Sequence, residues 1–366
     1  MTRIRQLDGL RALAVMAVIQ QHWGAAAVNQ AIGPGGLGVN CFFVLSGFLI
    51  TGILLRARTG GDPGEALRTF YIRRALRIFP AYYLVLVLGS LVSRHVSDDW
   101  LWHVFYLSNV RLAIDREWPG AAAHLWSLSV EEQFYLVWPA VVLFTARRWL
   151  EPLMLAIVAA APIWRGLILT ATGGNDFAAA NLLPGASDCL AMGAWLACRR
   201  ERTSSPLPPY VVYAGVLLWL AGRVGSDLVP GWRLGLLAGS TASALIFVGL
   251  VDHIVRNGSG TRWLAWRPLV HVGVVSYGVY LFHNFVPAFA DAVSPDLASW
   301  MYAHGAGPFV TVAALSVGLA TISWIVVERP LNELKDRVPL QDRADRQAGP
   351  AELSLPRATG PHVTAL

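Results

Sequence analysis

Apolar residues run along this chain in stretches of about 18 to 22, the length that crosses a hydrocarbon core of roughly 30 Å as a helix. They do not show the alternation of strands or the narrow stripe of a soluble amphipathic helix. Polar positions punctuate the runs, and most of these breaks carry arginine. The pattern predicts ten spans, over about 7–27, 37–55, 79–95, 125–146, 149–171, 181–198, 210–223, 233–252, 269–290 and 308–327. The stretch from Trp100 to Val110 is apolar and aromatic but short, which predicts an interfacial or re-entrant helix. The loop from Arg56 to Arg77 leads to a third span that begins around Pro80. From about Val338 the periodicity is lost and Arg, Asp, Pro, Gly and Ala dominate, so residues 338–366 are expected to be a disordered tail. Residues 1–337 form one membrane domain in this reading, with no second catalytic domain appended.

Composition supports the bilayer as solvent. Of 366 residues, 55% are hydrophobic and 14% charged, against roughly a quarter charged in an ordinary soluble domain. A net charge of +6 is compatible with nucleic-acid binding, yet the basic residues sit between apolar runs, where they set topology. With the amino terminus in the cytoplasm, the inner segments carry Arg3, Arg5, Arg11, six arginines from Arg56 to Arg77, Arg147, Arg148, Arg199, Arg200, Arg202, Arg256, Arg262, Arg267 and the tail. The outer segments carry Arg94, Arg111, Arg116, Arg223 and Arg233, with Arg165 embedded. This asymmetry predicts a multi-pass cell-membrane protein with both termini cytoplasmic. Arg3 and Arg5 before an apolar stretch imitate a signal peptide, but Asp8, Arg11 and His22 inside that stretch argue for a retained first helix. Cys41, Cys189 and Cys198 lie in apolar runs and read as small core residues.

Ionisable groups inside such spans are expensive and point to function. Arg11 and His22 lie eleven residues apart on the first helix, close to three turns, so they share a face about 16 Å apart. The fourth span carries Ser127, Ser129, Glu131 and Glu132, the sixth Ser187 and Asp188, the ninth Ser276, Tyr277, His283 and Asn284. These positions predict a polar pocket within the membrane. Each has a plainer alternative: His22 as an interfacial hydrogen-bonding residue, one of Glu131 and Glu132 with a structural partner, and Asp188, His283 and Arg165 as paired groups that hold the bundle together. Asn40, Ser46, Gly47 and Gly52 suit helix packing. Arg73, Arg74 and Arg77 can serve topology and lipid phosphate, or clamp a bound phosphate between guanidinium forks.

At this point the chain resembles the acyltransferase-3 family of integral membrane O-acyltransferases, over about residues 3–337. LDGLRALAV followed by His22 resembles the family's arginine and histidine separated by ten residues, here Arg11 and His22. VNCFFVLSGFLIT at 39–51 resembles its second helix, and FYIRRALRIFPAYY at 70–83 contains its Arg-x-x-Arg element as Arg74 and Arg77. HLWSLSVEEQFYLVWP at 124–139, SYGVYLFH at 276–283 and VVERP at 326–330 complete the order.

The resemblance implies transfer of an acyl group from acyl-CoA, with acetyl-CoA foremost, to a hydroxyl of a carbohydrate, glycolipid or glycosylated metabolite. His22, Glu131 and Glu132 would be catalytic, with a glutamate orienting the imidazole or stabilising its cation, and Arg11, Arg73, Arg74 and Arg77 would hold the donor. Ser127, Asp188, Tyr277 and His283 would line the substrate pocket. Family members with a soluble hydrolase-like domain pass the acyl group onward outside the membrane, so this chain is expected to acylate directly or through a separate partner. A macrolide-type acceptor is the alternative within the class, and a proton-coupled transporter the rival from outside it. No repeat relates 1–170 to 171–337, which weighs against the transporter. The histidines and carboxylates lack metal-ligand spacing.

Overall fold

The chain folds into helices throughout in a computed structural model that describes residues 3–334, apart from 230, 232 and 257. Among the described residues there is no strand. In chain order the helices are α1 (Arg5–Trp23), α2 (Ala26–Ile32), α3 (Pro34–Gly60), α4 (Pro63–Val92), α5 (Arg94–Asp98), α6 (Trp100–Val104), α7 (Ser108–Asp115), α8 (Leu125–Phe144), α9 (Arg147–Ala171) and α10 (Asp176–Asn181). They continue as α11 (Leu183–Arg202), α12 (Tyr210–Leu228), α13 (Leu234–Val255), α14 (Arg267–Val274), α15 (Ser276–Phe282), α16 (Val286–Asp291), α17 (Pro295–Tyr302), α18 (Ala306–Ser323) and α19 (Arg329–Leu334). Five segments, Pro34–Thr59, Pro63–Val92, Arg147–Ala171, Leu234–Val255 and Ala306–Leu334, are long and apolar enough to cross a membrane. Together with the family reported below, they make this a multi-pass membrane protein. The expected tail at 338–366 lies outside the described residues.

Local chemistry sets several boundaries. Gly33 ends α2 and opens α3 at φ 55°, a left-handed turn that a side chain would strain. Asp62 caps α4, its carboxylate accepting from the Glu65 amide at 2.9 Å, and Pro63 occupies the first turn. This cap starts α4 some sixteen residues before the expected third span, so Arg73, Arg74 and Arg77 stand on a helix and not in a loop, and Pro80 lies inside it. The Trp100–Val110 stretch is also divided: α6 ends at Val104, Tyr106 takes φ 53°, and α7 begins at Ser108. The ninth apolar run is broken twice, at Val275 between α14 and α15 and at His283–Phe285 before α16.

Helix crossings rest on glycine where backbones touch. A Cβ on Gly47 would lie 1.9 Å from the Leu190 carbonyl oxygen, and one on Gly193 2.0 Å from that of Val44, so α3 and α11 meet through two facing glycines. Helix α1 lies inside the bundle against α3, α14, α15 and α18. Gly52, grouped with Gly47 by composition, meets no other helix closely.

A second staple is ionic. Arg165 of α9 and Asp188 of α11, 1% and 0% exposed, form a buried ion pair. Asp188 also accepts from Ser240 at 2.6 Å and Thr241 at 2.7 Å on α13, and from the Cys189 amide at 2.9 Å. Arg165 donates to the carbonyls of Gly185 and Leu237. Every polar atom of Asp188 is thus spent on joining α9, α11 and α13, which corrects its assignment to a substrate pocket. Removing the carboxylate strands a buried guanidinium, so Asp188→Ala is expected to lose about 3 to 5 kcal/mol of stability. Asp188→Asn, which keeps its hydroxyl partners, should lose less. Thermal unfolding of the purified variants in detergent checks the order.

Candidate active site

The last turn of α1, the residue that precedes α8 and the residue that follows α15 bring three imidazoles together. The His22 and His283 rings lie 5.0 Å apart, and those of His283 and His124 4.9 Å apart. His283 and His124 are buried, whereas His22 is partly open to a cavity. His22 Nδ1 lies 2.9 Å from the Val18 carbonyl oxygen and 3.2 Å from His283 Nε2. His283 Nδ1 lies 2.6 Å from the Tyr280 carbonyl oxygen, and His124 Nε2 3.1 Å from that of Leu281. Among the described residues His124 Nδ1 has no partner.

His22 faces a cavity of about 860 Å³ lined also by Trp23, Trp118, Trp126, His124 and Tyr302. A second, smaller cavity of about 80 Å³ holds Arg11, Arg74, Arg77, Glu131, Glu132, Ser127 and Tyr277 on its wall. A cleft of about 600 Å³ adjoins it and is lined by Arg3, Arg11, Arg56, Arg77 and Arg200, with Asp8 and Glu201. Arg11 and Arg77 belong to both the cleft and the small cavity, while Val39 and Tyr280 belong to both the small cavity and the His22 cavity. Basic cleft, charged neck and histidine chamber therefore follow one another through the bundle. At the neck the Tyr280 hydroxyl meets Ser127 Oγ at 2.5 Å and donates to the His124 carbonyl oxygen at 3.1 Å.

The neck is charged yet weakly paired. Glu131 accepts from Ser46 at 2.5 Å, the Arg74 guanidinium lies 3.8 Å over the Tyr135 ring, and Arg74 Nε is buried without a hydrogen-bond partner. Among the described residues neither Arg11, Arg74 nor Arg77 is in an ion pair with a carboxylate. Three guanidiniums aimed at one space without committed partners fit an anionic ligand.

Several sequence expectations shift. Glu131 and Glu132 do not touch His22: they lie seven and eight residues beyond His124 on α8, a displacement of roughly 10 Å along the helix. This puts them level with Arg11. His283 contacts His22 and lines neither of these two cavities. Arg73 lines neither the small cavity nor the cleft. Ser127 and Tyr277 do reach the neck, and the Tyr277 hydroxyl donates to the Ile78 carbonyl at 3.2 Å. His124 and Tyr280 were quoted within motifs but given no role, because helical spacing does not reveal which helices meet. No group of three His, Cys, Asp or Glu side chains among the described residues could hold a metal ion.

A helical membrane bundle with arginines and histidines strung along one internal path defines the class. The chain matches the family model described as an acyltransferase domain over residues 4–328, and it belongs to the acyltransferase-3 family of integral membrane acyltransferases. The peptidoglycan O-acetyltransferase OatA of Listeria monocytogenes is 32% identical over 320 residues, covering 76% of this chain and 49% of that protein. The YrhL protein of Bacillus subtilis is 29% identical over 360 residues (89% of this chain, 54% of that protein). The O-acetyltransferase OatA of Staphylococcus aureus is 27% identical over 362 residues (89% and 57%). The chain spans about half the length of these curated relatives. No solved structure matches it.

Proposed function

We propose that this chain is a membrane O-acyltransferase that moves an acyl group, acetyl foremost, from acyl-CoA in the cytoplasm to a hydroxyl of a carbohydrate on the far side of the membrane. The observation that carries the reading is the shared walls of three successive cavities, which join a basic cleft to the open ring nitrogen of His22. In this reading residues 1–337 are the catalytic membrane domain, ten spans cross the bilayer, both termini are cytoplasmic, and the charged neck lies within the membrane. The arginine asymmetry of the sequence supports that orientation.

Arg11, Arg74 and Arg77 would hold the phosphates of the donor, which supplies the acyl group as a thioester. Tyr280 and Val39 stand between the neck and the chamber, on the walls of both. His22 Nε2 takes the proton of the acceptor hydroxyl as its oxygen attacks the thioester carbonyl, and returns that proton to the departing thiolate. Glu131, held by Ser46, balances the guanidiniums of the neck. The chamber itself favours a sugar: Trp23, Trp118, Trp126 and Tyr302 offer flat apolar faces, while Gln21 and Asn284 offer hydrogen bonds at the edges. The O-acetyltransferase names of the relatives point the same way.

Release of CoA from acetyl-CoA by protein in nanodiscs tests the whole reading, with peptidoglycan fragments, a glycolipid and a macrolide offered separately as acceptors. His22→Ala should lower kcat by at least about 100-fold while the protein stays folded. Equal turnover by parent and variant would remove His22 from the chemistry, and proton flux without CoA release would favour transport. A second variant, Arg74→Ala with Arg77→Ala, should weaken acyl-CoA binding by at least about tenfold, since charge-assisted hydrogen bonds contribute roughly 1.5 to 3 kcal/mol each. Calorimetry reads it directly. Trp126→Ala should raise the acceptor KM severalfold and leave kcat nearly unchanged, as expected for lost binding that does not differ between ground and transition states.

A further inference from the structure

The geometry points to His283 as the residue that positions His22: it accepts a hydrogen bond from His22 Nδ1–H, fixes the tautomer that leaves Nε2 free, and stabilises the imidazolium when Nε2 takes a proton. This inference rests on the acyl-transfer reading for its kinetics, though not for its structural content.

A carbonyl oxygen accepts and never donates. His283 Nδ1 lies 2.6 Å from the Tyr280 carbonyl, so Nδ1 carries the hydrogen and His283 Nε2 is a bare acceptor in the neutral ring. That bare nitrogen lies 3.2 Å from His22 Nδ1, which itself lies 2.9 Å from the Val18 carbonyl. With an acceptor on each side, His22 Nδ1 must carry the hydrogen. The lone pair of His22 is then on Nε2, which makes no hydrogen bond among the described residues and belongs to a side chain that lines the chamber. His124 completes the support. Its Nε2 donates to the Leu281 carbonyl, and its ring stands at 69° to that of His283, holding the His283 plane in place.

A buried carboxylate would do the same work at the cost of a permanent charge in the resting protein. An imidazole partner keeps the resting site neutral and offers a lone pair when the charge arrives. The balance is complete: the acceptor O–H proton moves to His22 Nε2, the imidazolium Nδ1–H is held between Val18 and His283, the C–S bond breaks, and the Nε2 proton leaves with the thiolate. His283 ends as it began. Glu131 and Glu132, level with Arg11, take no part in this pairing.

The test compares His283→Gln, whose amide oxygen can still accept, with His283→Leu, which cannot, in nanodiscs. Expected is a fall in kcat of at least about tenfold for His283→Leu, with KM values for acetyl-CoA and acceptor within about twofold, and recovery of most of the loss in His283→Gln. Equal kcat in the two variants, or a loss confined to KM, overturns the role. Solid-state 15N spectra of the histidine-labelled parent, with the His22 signal assigned by its loss in His22→Ala, give a readout that needs neither catalysis nor a folded His283 variant. A hydrogen on Nδ1 and a bare Nε2 support the pairing, and a hydrogen on Nε2 overturns it. If the parent moves no acyl group at all, the transfer reading fails while the spectrum still decides the pairing.

Discussion

Where no water reaches a polar atom, its partners must come from the fold, and this constraint organises the centre of the molecule. A buried imidazole has two nitrogens to account for, and each of the three histidines here meets a carbonyl: Val18 for His22, Tyr280 for His283, Leu281 for His124. Two of those carbonyls come from α15 itself, so the helix that brings Tyr280 to the neck also sets the hydrogen positions in the chamber. His283 keeps helical dihedrals and its amide donates to the Val279 carbonyl at 3.1 Å, so its ring stays in register with α15 and the chain departs from the helix only after it.

The same constraint separates the two kinds of buried charge. Arg165 and Asp188 are matched atom for atom with each other and with hydroxyls and carbonyls of α11 and α13, which is how a pair that only holds helices together avoids an uncompensated charge. Arg11, Arg74 and Arg77 are not matched in this way. Full burial with every atom paired and half-burial on a cavity wall without an ion-pair partner are different arrangements, and both occur within one bundle.

Much of the framework was legible in the sequence because the bilayer writes its thickness into run length. The runs at 125–146, 149–171 and 210–223 coincide closely with α8, α9 and α12. The start of α4 was hidden because Arg68, Arg73, Arg74 and Arg77 depress hydropathy without preventing a helix, and the Asp62 cap with Pro63 was the signal that could have located it. The breaks in the ninth run were hidden for a different reason: Val275 and Phe285 are as apolar as their neighbours, and periodicity records burial, not chain continuity. Motif order brought Arg11, His22, Arg74, Arg77, Glu131 and His283 to notice. Which of them touch was beyond it, since a helix fixes its own residues relative to one another and leaves its neighbours free.

That distinction explains why a carboxylate was expected beside His22 and an imidazole is found there. Glutamate and histidine are both reasonable partners for a base, and both stand in motifs that lie on helices near α1. The choice is made by rise per residue. At the start of α8 the residue near His283 and His22 is the N-cap His124, and Glu131 is already about two turns further along, on a cavity wall with Arg11 and Ser46. On α15 the residue at that level is His283. The carboxylates thereby share a cavity wall with the guanidiniums without forming ion pairs to them, and the histidines lie against one another. The guanidiniums and carboxylates thus gather at one end of this row of cavities and the imidazoles at the other, a division that the proposed polyanionic donor and uncharged acceptor would require.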